Sequence, residues 1–243
     1  MTTTSPTPIT PIPLEQPVIF YPGTLCDERV FMPCWQAMNI PKRAFVPLQW
    51  AETLEQMLAL SGDRLDYFDE PAHLVGFSMG GYVAALTALR QPEKVASLTL
   101  IGSYPGQFDE QERQARKSII QTIQSKKYQG MSDARMQKFV FSLDNVQVLQ
   151  TIKAMESDLG PSVLATQMSA LSDREDLTVR LAKAPFKVHL LVGERDQIAS
   201  PDKISSLKEQ IGNSQLHIFD NAAHMLPLEQ PVALANYFVE NFS

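Results

Sequence analysis

Gly76-Phe77-Ser78-Met79-Gly80 sets a hydroxyl between two glycines. A serine in that setting suits a sharp strand-to-helix turn, which lifts its side chain toward a substrate while straining its own backbone. Glycine at 76 and 80 follows from crowding, because a side chain at either place would strike the neighbouring strand or helix. Alone the pattern is weak; at ordinary Gly and Ser frequencies it arises by chance in about one chain in ten of this length. Its surroundings strengthen it. Ala72-His73-Leu74-Val75 is a short apolar run of buried-strand type, and Gly81 to Leu89 is Ala- and Leu-rich at helical period until Arg90-Gln91-Pro92 stops it.

A serine hydroxyl is a poor nucleophile until an imidazole takes its proton, and that imidazole needs a carboxylate to fix its tautomer. Serines on such turns find their partners in the chain order Ser, Asp or Glu, His. Of the four histidines, His73, His189 and His217 fall inside predicted strands, where packing explains them. His224 alone lies in a loop directly after the last predicted strand. Asp196 closes the turn Gly193-Glu194-Arg195-Asp196 after an apolar run; its rivals are Asp220 at a strand end, Asp202 at a helix start, and Glu194. The expected triad is Ser78, Asp196 and His224. A tetrahedral intermediate also needs two backbone N–H donors. Met79, after the nucleophile, supplies one, and Thr24, after the Pro22-Gly23 turn, the other.

The elements that must hold these residues alternate. Strands are expected at 17–21, 43–48, 72–75, 98–101, 188–192 and 215–219, with helices near 28–38, 53–65, 81–89, 201–211 and 230–242. Alternation of this kind implies right-handed crossovers and a mostly parallel sheet of about six strands flanked by helices, an α/β fold. Residues 103–187 break the rhythm, since a crossover needs only about a dozen residues. They read as helices at 110–124, 133–141, 146–158 and 161–171. We expect a helical cap at 103–171 inserted in a core of 17–102 and 172–243, after a disordered Thr/Pro leader at 1–16.

The 243 residues carry a net charge of −6 and 44% hydrophobic content, with pI near 5.3. That acidity argues against nucleic acid as a partner. No apolar run is long enough to span a membrane, and residues 1–16 lack the basic and apolar regions of a signal peptide. A cytoplasmic protein is expected. Cys26 and Cys34 lie close together; a disulfide is open to them, but free thiols fit a reducing compartment. No Cys/His cluster has metal spacing, so neither metal nor other cofactor is expected. Oligomeric state is not legible.

The chain resembles the α/β-hydrolase superfamily in its capped, small-esterase branch. The resemblance rests on Tyr21 to Asp27, Gly76 to Gly81, Leu191 to Asp196 and Ala222 to Pro231, and covers residue 17 to the end except the cap. It departs in two places. Relatives usually carry His-Gly where this chain has Pro22-Gly23, and the family's first two strands are missing. Serine at the turn disfavours the epoxide and halide chemistry of relatives with aspartate there. The resemblance implies hydrolysis of an ester or thioester through an acyl-enzyme. Rival readings are a same-fold perhydrolase, lyase or acyltransferase, and a triad-bearing ligand sensor with little turnover.

Leu25, Met225 and Leu226, next to the catalytic atoms in sequence, are expected to line an apolar entrance for a small-molecule ester. The cap reverses the local charge. Arg113, Arg116, Lys117, Lys126, Lys127, Arg135 and Lys138 face a single acid, Asp133, between residues 113 and 138. Such a stretch is either a solvated helix face or a dock for an acidic acyl-carrier protein. The second option gains from resemblance to capped esterases that cleave pimeloyl-carrier-protein methyl ester.

Overall fold

The computed structural model describes residues 14–242. Residues 1–13 of the expected leader lie outside that range. Leu14, near its end, is buried and donates its N–H to the Asn39 carbonyl at 2.9 Å.

The first half of the chain forms β1 (Val18–Tyr21), α1 (Met32–Gln36), β2 (Arg43–Phe45), α2 (Leu54–Asp66), β3 (Ala72–Phe77), α3 (Met79–Arg90) and β4 (Val95–Ile101). Then come α4 (Glu110–Gln124), α5 (Asp133–Met136), α6 (Val146–Ala170) and α7 (Thr178–Leu181). The chain closes with β5 (Lys187–Gly193), α8 (Pro201–Gln210), β6 (Ser214–Phe219), α9 (Leu226–Glu229) and α10 (Pro231–Asn241). The six strands make one sheet in the order β2-β1-β3-β4-β5-β6, all parallel.

Strand periodicity explains the two apolar layers. Successive side chains point to opposite faces. Ile19, Tyr21, Leu74, Leu98, Leu100, Val188 and Leu190 therefore pack on one face with Met57 and Leu65 of α2, Tyr82 and Val83 of α3, and Ile204 and Leu207 of α8. Val18, Phe20, Val75, Phe77, Ile101 and Leu191 pack on the other with Cys34 of α1 and Leu234 and Phe238 of α10. Strands covered on both faces read as continuous apolar runs, which is why β1, β3 and β5 were visible in sequence.

Several boundaries differ from expectation. Residues 28–38 give only a short 3-10 turn at Glu28–Val30 and the five-residue α1. The predicted strand at 43–48 stops at Phe45, and the helix at 133–141 stops at Met136. The helices expected at 146–158 and 161–171 run on as α6, broken at Gly160, whose φ of 78° precedes Pro161. Only glycine adopts that conformation easily, and the proline bars a normal turn before it.

Strand order reverses between β1 and β3, and crevices at such a reversal lie beyond the carboxyl ends of the strands. There Tyr21 pairs with Gly76 and Gly76 with Leu100, so the loops after β1, β3 and β4 emerge side by side. The helices between β4 and β5 share apolar contacts with those loops. Leu25 clusters with Leu164 and Met168 of α6 and with Ile119 and Ile123 of α4.

Candidate active site

Ser78 lies between the last residue of β3 and the first of α3, with φ 52° and ψ −116°. Such a backbone costs of order 1–3 kcal/mol and persists only where its surroundings force it. Here the Ser78 N–H donates to the Ile101 carbonyl at 2.8 Å, and the Ser78 carbonyl accepts from Gly81 N at 3.0 Å and Ser103 Oγ at 2.7 Å. The flanking glycines are required by contact: a Cβ at Gly76 would lie 2.4 Å from Gly81 Cα, and one at Gly80 2.4 Å from the Tyr21 and Pro22 carbonyl oxygens.

Asp196 and His224 come to this serine from the loops after β5 and β6. His224 Nε2 is 3.0 Å from Ser78 Oγ, and His224 Nδ1 is 2.9 Å from Asp196 Oδ2. Both partners are 2% exposed. The other Asp196 oxygen accepts N–H groups from Ile198 at 2.8 Å and Ala199 at 2.9 Å, which fixes the carboxylate plane toward the imidazole. The two loops are cross-tied, Arg195 N donating to the Ala222 carbonyl at 3.0 Å and Asn221 N to Glu194 Oε1 at 2.9 Å.

The rivals for the acid lie elsewhere. Asp220 is exposed, Asp202 is in the first turn of α8, and Glu194 is occupied by Asn221. The strand histidines have packing partners: His73 binds Ser97 Oγ at 2.7 Å, His189 binds Tyr237 Oη at 2.9 Å, and His217 meets Phe219 edge-on.

Thr24, Leu25, Ser78, His224 and Met225 line one cavity of about 260 Å³, with Ile119, Met155 and Leu164 among its apolar walls. Met79 lines an adjoining cavity with Thr24 and Ser78. As the first residue of α3, Met79 carries one of the N–H groups that a helix cannot satisfy internally. Leu226 corrects an expectation. It lines neither cavity and is fully buried in the apolar layer under α10, because it begins α9, which folds back into that layer. Cys26 and Cys34 are free thiols, both buried; burial, with the charge of Asp27 adding, pushes Cys26 up to about 12.

Three contributors escaped the sequence reading. Gln167 of α6, fully buried, accepts the Leu25 N–H at 2.9 Å and so holds the loop carrying Thr24; Leu25 itself has φ 57°. Glu229 accepts N–H groups from Ala223 at 2.8 Å and from Phe141, and burial raises its pKa above the usual carboxylate value. Phe139 packs edge-on against His224 at 5.4 Å, and its carbonyl accepts the Met225 N–H at 2.9 Å. None has a local sequence signal, since each acts on a residue far away in the chain.

A further feature of the site is cationic. Arg116 of α4 and Arg174, before α7, line the adjoining cavity of about 100 Å³ with Ser78, Phe108, Glu112 and Lys203. Their guanidiniums lie over the Phe108 ring at 4.3 and 3.6 Å. Burial draws each pKa down to about 10, the charge of Arg116 adding to the effect at Arg174, so both are cationic at neutral pH.

Comparison with known proteins agrees with the fold. The family model described as the α/β-hydrolase fold matches residues 52–231. A 2-succinyl-6-hydroxy-2,4-cyclohexadiene-1-carboxylate synthase from Enterobacter sp. (strain 638) is 27% identical over 168 residues, 67% of this chain and 63% of that protein. A monoacylglycerol lipase of Bos taurus is 24% identical, over 70% of this chain and 54% of its own length. The chain thus spans less than two thirds of these relatives. Among solved structures, a thermophilic esterase from Thermogutta terrifontis superposes with TM-score 0.79 at 20% identity, covering 93% of this chain and 88% of that one. MenH from S. aureus gives 0.78 at 19% identity, covering 93% and 92%. With the six-stranded parallel sheet and the match over most of its length, the chain belongs to the α/β-hydrolase fold family.

Proposed function

We propose that this protein is a serine hydrolase that cleaves carboxylic esters through an acyl-enzyme. The observation that carries the reading is the continuous relay from Asp196 Oδ2 through His224 to Ser78 Oγ, with steps of 2.9 and 3.0 Å. Ser78 Oγ attacks the acyl carbon while His224 Nε2 takes its proton, and Asp196 holds the Nδ1–H and balances the imidazolium. Negative charge on the carbonyl oxygen faces the N–H groups of Met79 and Thr24, at the positive end of α3. Collapse expels the alcohol, which takes the proton back from His224. Water then attacks the acyl-serine with His224 again as base, releasing the acid and free Ser78. The test is direct: a fluorophosphonate should label Ser78, and Ser78→Ala should abolish both labelling and p-nitrophenyl ester hydrolysis, a loss of roughly 10⁴ or more. Labelling that persists in the variant would move the nucleophile elsewhere.

The finer form, a carrier-linked acyl methyl ester, is supported by less of the basic stretch than its sequence suggests. Arg116 and Arg135 line the cavities, and Arg113 pairs with Glu110 at 3.2 Å. Lys117, Lys126, Lys127 and Lys138 remain exposed to meet an acidic carrier.

A second reading, a non-hydrolytic reaction with His224 as base toward the substrate, is favoured by the matches to carboxylate synthases. Rapid-quench mass spectrometry separates the two, since only the first accumulates an acyl group on Ser78.

A further inference from the structure

Arg116 and Arg174 stand without a carboxylate partner. Among the described residues, Arg29, Arg64, Arg90, Arg113 and Arg180 each pair with an acid, whereas Arg116 and Arg174 line the cavity beside Ser78 and form no ion pair. The one acid in their cavity, Glu112, is already engaged. Its Oε2 accepts the Asp109 N–H at 2.9 Å in the capping box of α4, and its Oε1 pairs with Lys203 Nζ at 3.2 Å. Each arginine spends one amino group on a main-chain carbonyl, Arg116 on Met168 at 3.2 Å and Arg174 on Tyr104 at 3.1 Å. The Nε of each is buried with no hydrogen-bond partner. Leaving a buried charged donor unpaired is costly, and two such donors around one aromatic ring repel each other besides. Both guanidiniums lie over the Phe108 ring, a cation–π contact that helps hold them in place. An arrangement destabilising in the free protein is relieved by an anion between the forks, since guanidinium matches carboxylate geometry in two parallel hydrogen bonds.

We propose that Arg116 and Arg174 form a carboxylate-binding subsite beside Ser78, so that the substrates are esters carrying a free carboxylate as well as an apolar portion. The inference rests on the hydrolase reading and names its substrate class. Arg116 lines both cavities, so one substrate can present its carboxylate to the small cavity and its apolar part to the larger one, with the scissile carbonyl at Ser78 between them.

The test compares p-nitrophenyl hemisuccinate with p-nitrophenyl 4-methylpentanoate, in which an isopropyl group replaces the carboxylate at nearly equal size. The parent protein should prefer the anionic ester in kcat/KM by about tenfold or more, and Arg174→Gln should lower the anionic-to-neutral ratio by about 10- to 100-fold. Arg174→Lys should recover part of the ratio, which a merely structural loss would not do. Thermal melts with free succinate give a readout independent of turnover: saturable stabilisation is expected in the parent and in Ser78→Ala, and its loss in Arg116→Gln/Arg174→Gln. Equal rates on both esters, or an unchanged ratio in Arg174→Gln, overturns the subsite. Succinate stabilisation in a protein that hydrolyses neither ester would sustain the subsite and overturn the hydrolase reading instead.

Discussion

Gln167, fully buried in α6, accepts the Leu25 N–H at 2.9 Å, while its own Nε2 donates to the Leu48 carbonyl at 3.5 Å. A helix between β4 and β5 thereby holds the left-handed Leu25 and, through it, the loop carrying Thr24, which lines the cavities with Ser78. Gln167→Met keeps the volume but strands a buried N–H, at about 1–3 kcal/mol. We expect a Tm lower by several degrees and a kcat lower by about tenfold, with KM moving less. A fall in Tm with kcat unchanged would separate the glutamine from the Thr24 loop.

Asp196→Asn should reduce turnover by about 10⁴-fold, because an amide can donate to Nδ1 and so favour the wrong tautomer. Asp220→Asn, at an exposed position, should be nearly silent. Steady-state kinetics on a short p-nitrophenyl ester decides, and reversed results would reassign the acid.

Glu229 joins the His224 loop to the segment after α5 through Ala223 and Phe141. Glu229→Gln keeps one acceptor and replaces the other with a donor that faces an N–H. Loss of that bond should loosen Phe139 from the imidazole, cutting kcat by about tenfold and raising amide exchange at both Phe141 and Ala223. Exchange raised at only one of them would mean that the two segments move independently.

Stability should fall with acid in a window set by two buried histidines. Burial lowers His73 and His189 to about 4, with the charge of Lys187 adding at His189. Unfolded histidine titrates near 6.5, so between these values the unfolded chain holds more protons and unfolding is favoured as pH drops. The slope is up to about 1.4 kcal/mol per pH unit for each histidine. Urea midpoints should decline from pH 7 to pH 5, and His73→Gln should flatten the decline. An unaltered slope in that variant would show that His73 does not contribute.

Replacing Lys117, Lys126, Lys127 and Lys138 by Glu tests the carrier-linked form of the substrate. KM for a carrier-bound ester should rise several-fold and added salt should mimic the change, because exposed charges are screened beyond about 8 Å at physiological ionic strength. A KM unmoved by either treatment would leave small free esters as the substrates.

The grouping of Ser78, Asp196 and His224 was legible in the sequence because each sits in the first loop after a strand. Strand order then carries all three to one end of the sheet. Gly76 and Gly80 were legible for a related reason, since close backbone approach admits no other residue. The inner strands β1, β3, β4 and β5 followed from runs buried on both faces, whereas the edge strands β2 and β6 are partly exposed. Element ends around α1, α5 and α6 were less legible: short helices there are held by packing, and propensity over a few residues decides little. Leu226 was misjudged because sequence neighbourhood to His224 says nothing about which way a following turn of helix faces. Arg116 looked like one more cation of a basic surface, and Arg174 carried no signal. Only the tertiary structure turned both toward Phe108, and only there did it appear that Glu112 was already bound by Lys203 and the α4 cap. Local pattern fixes which residues can react, because strands and tight turns are local; which residues surround them depends on contacts such as Gln167 to Leu25, 142 positions apart, that only the packed chain brings together.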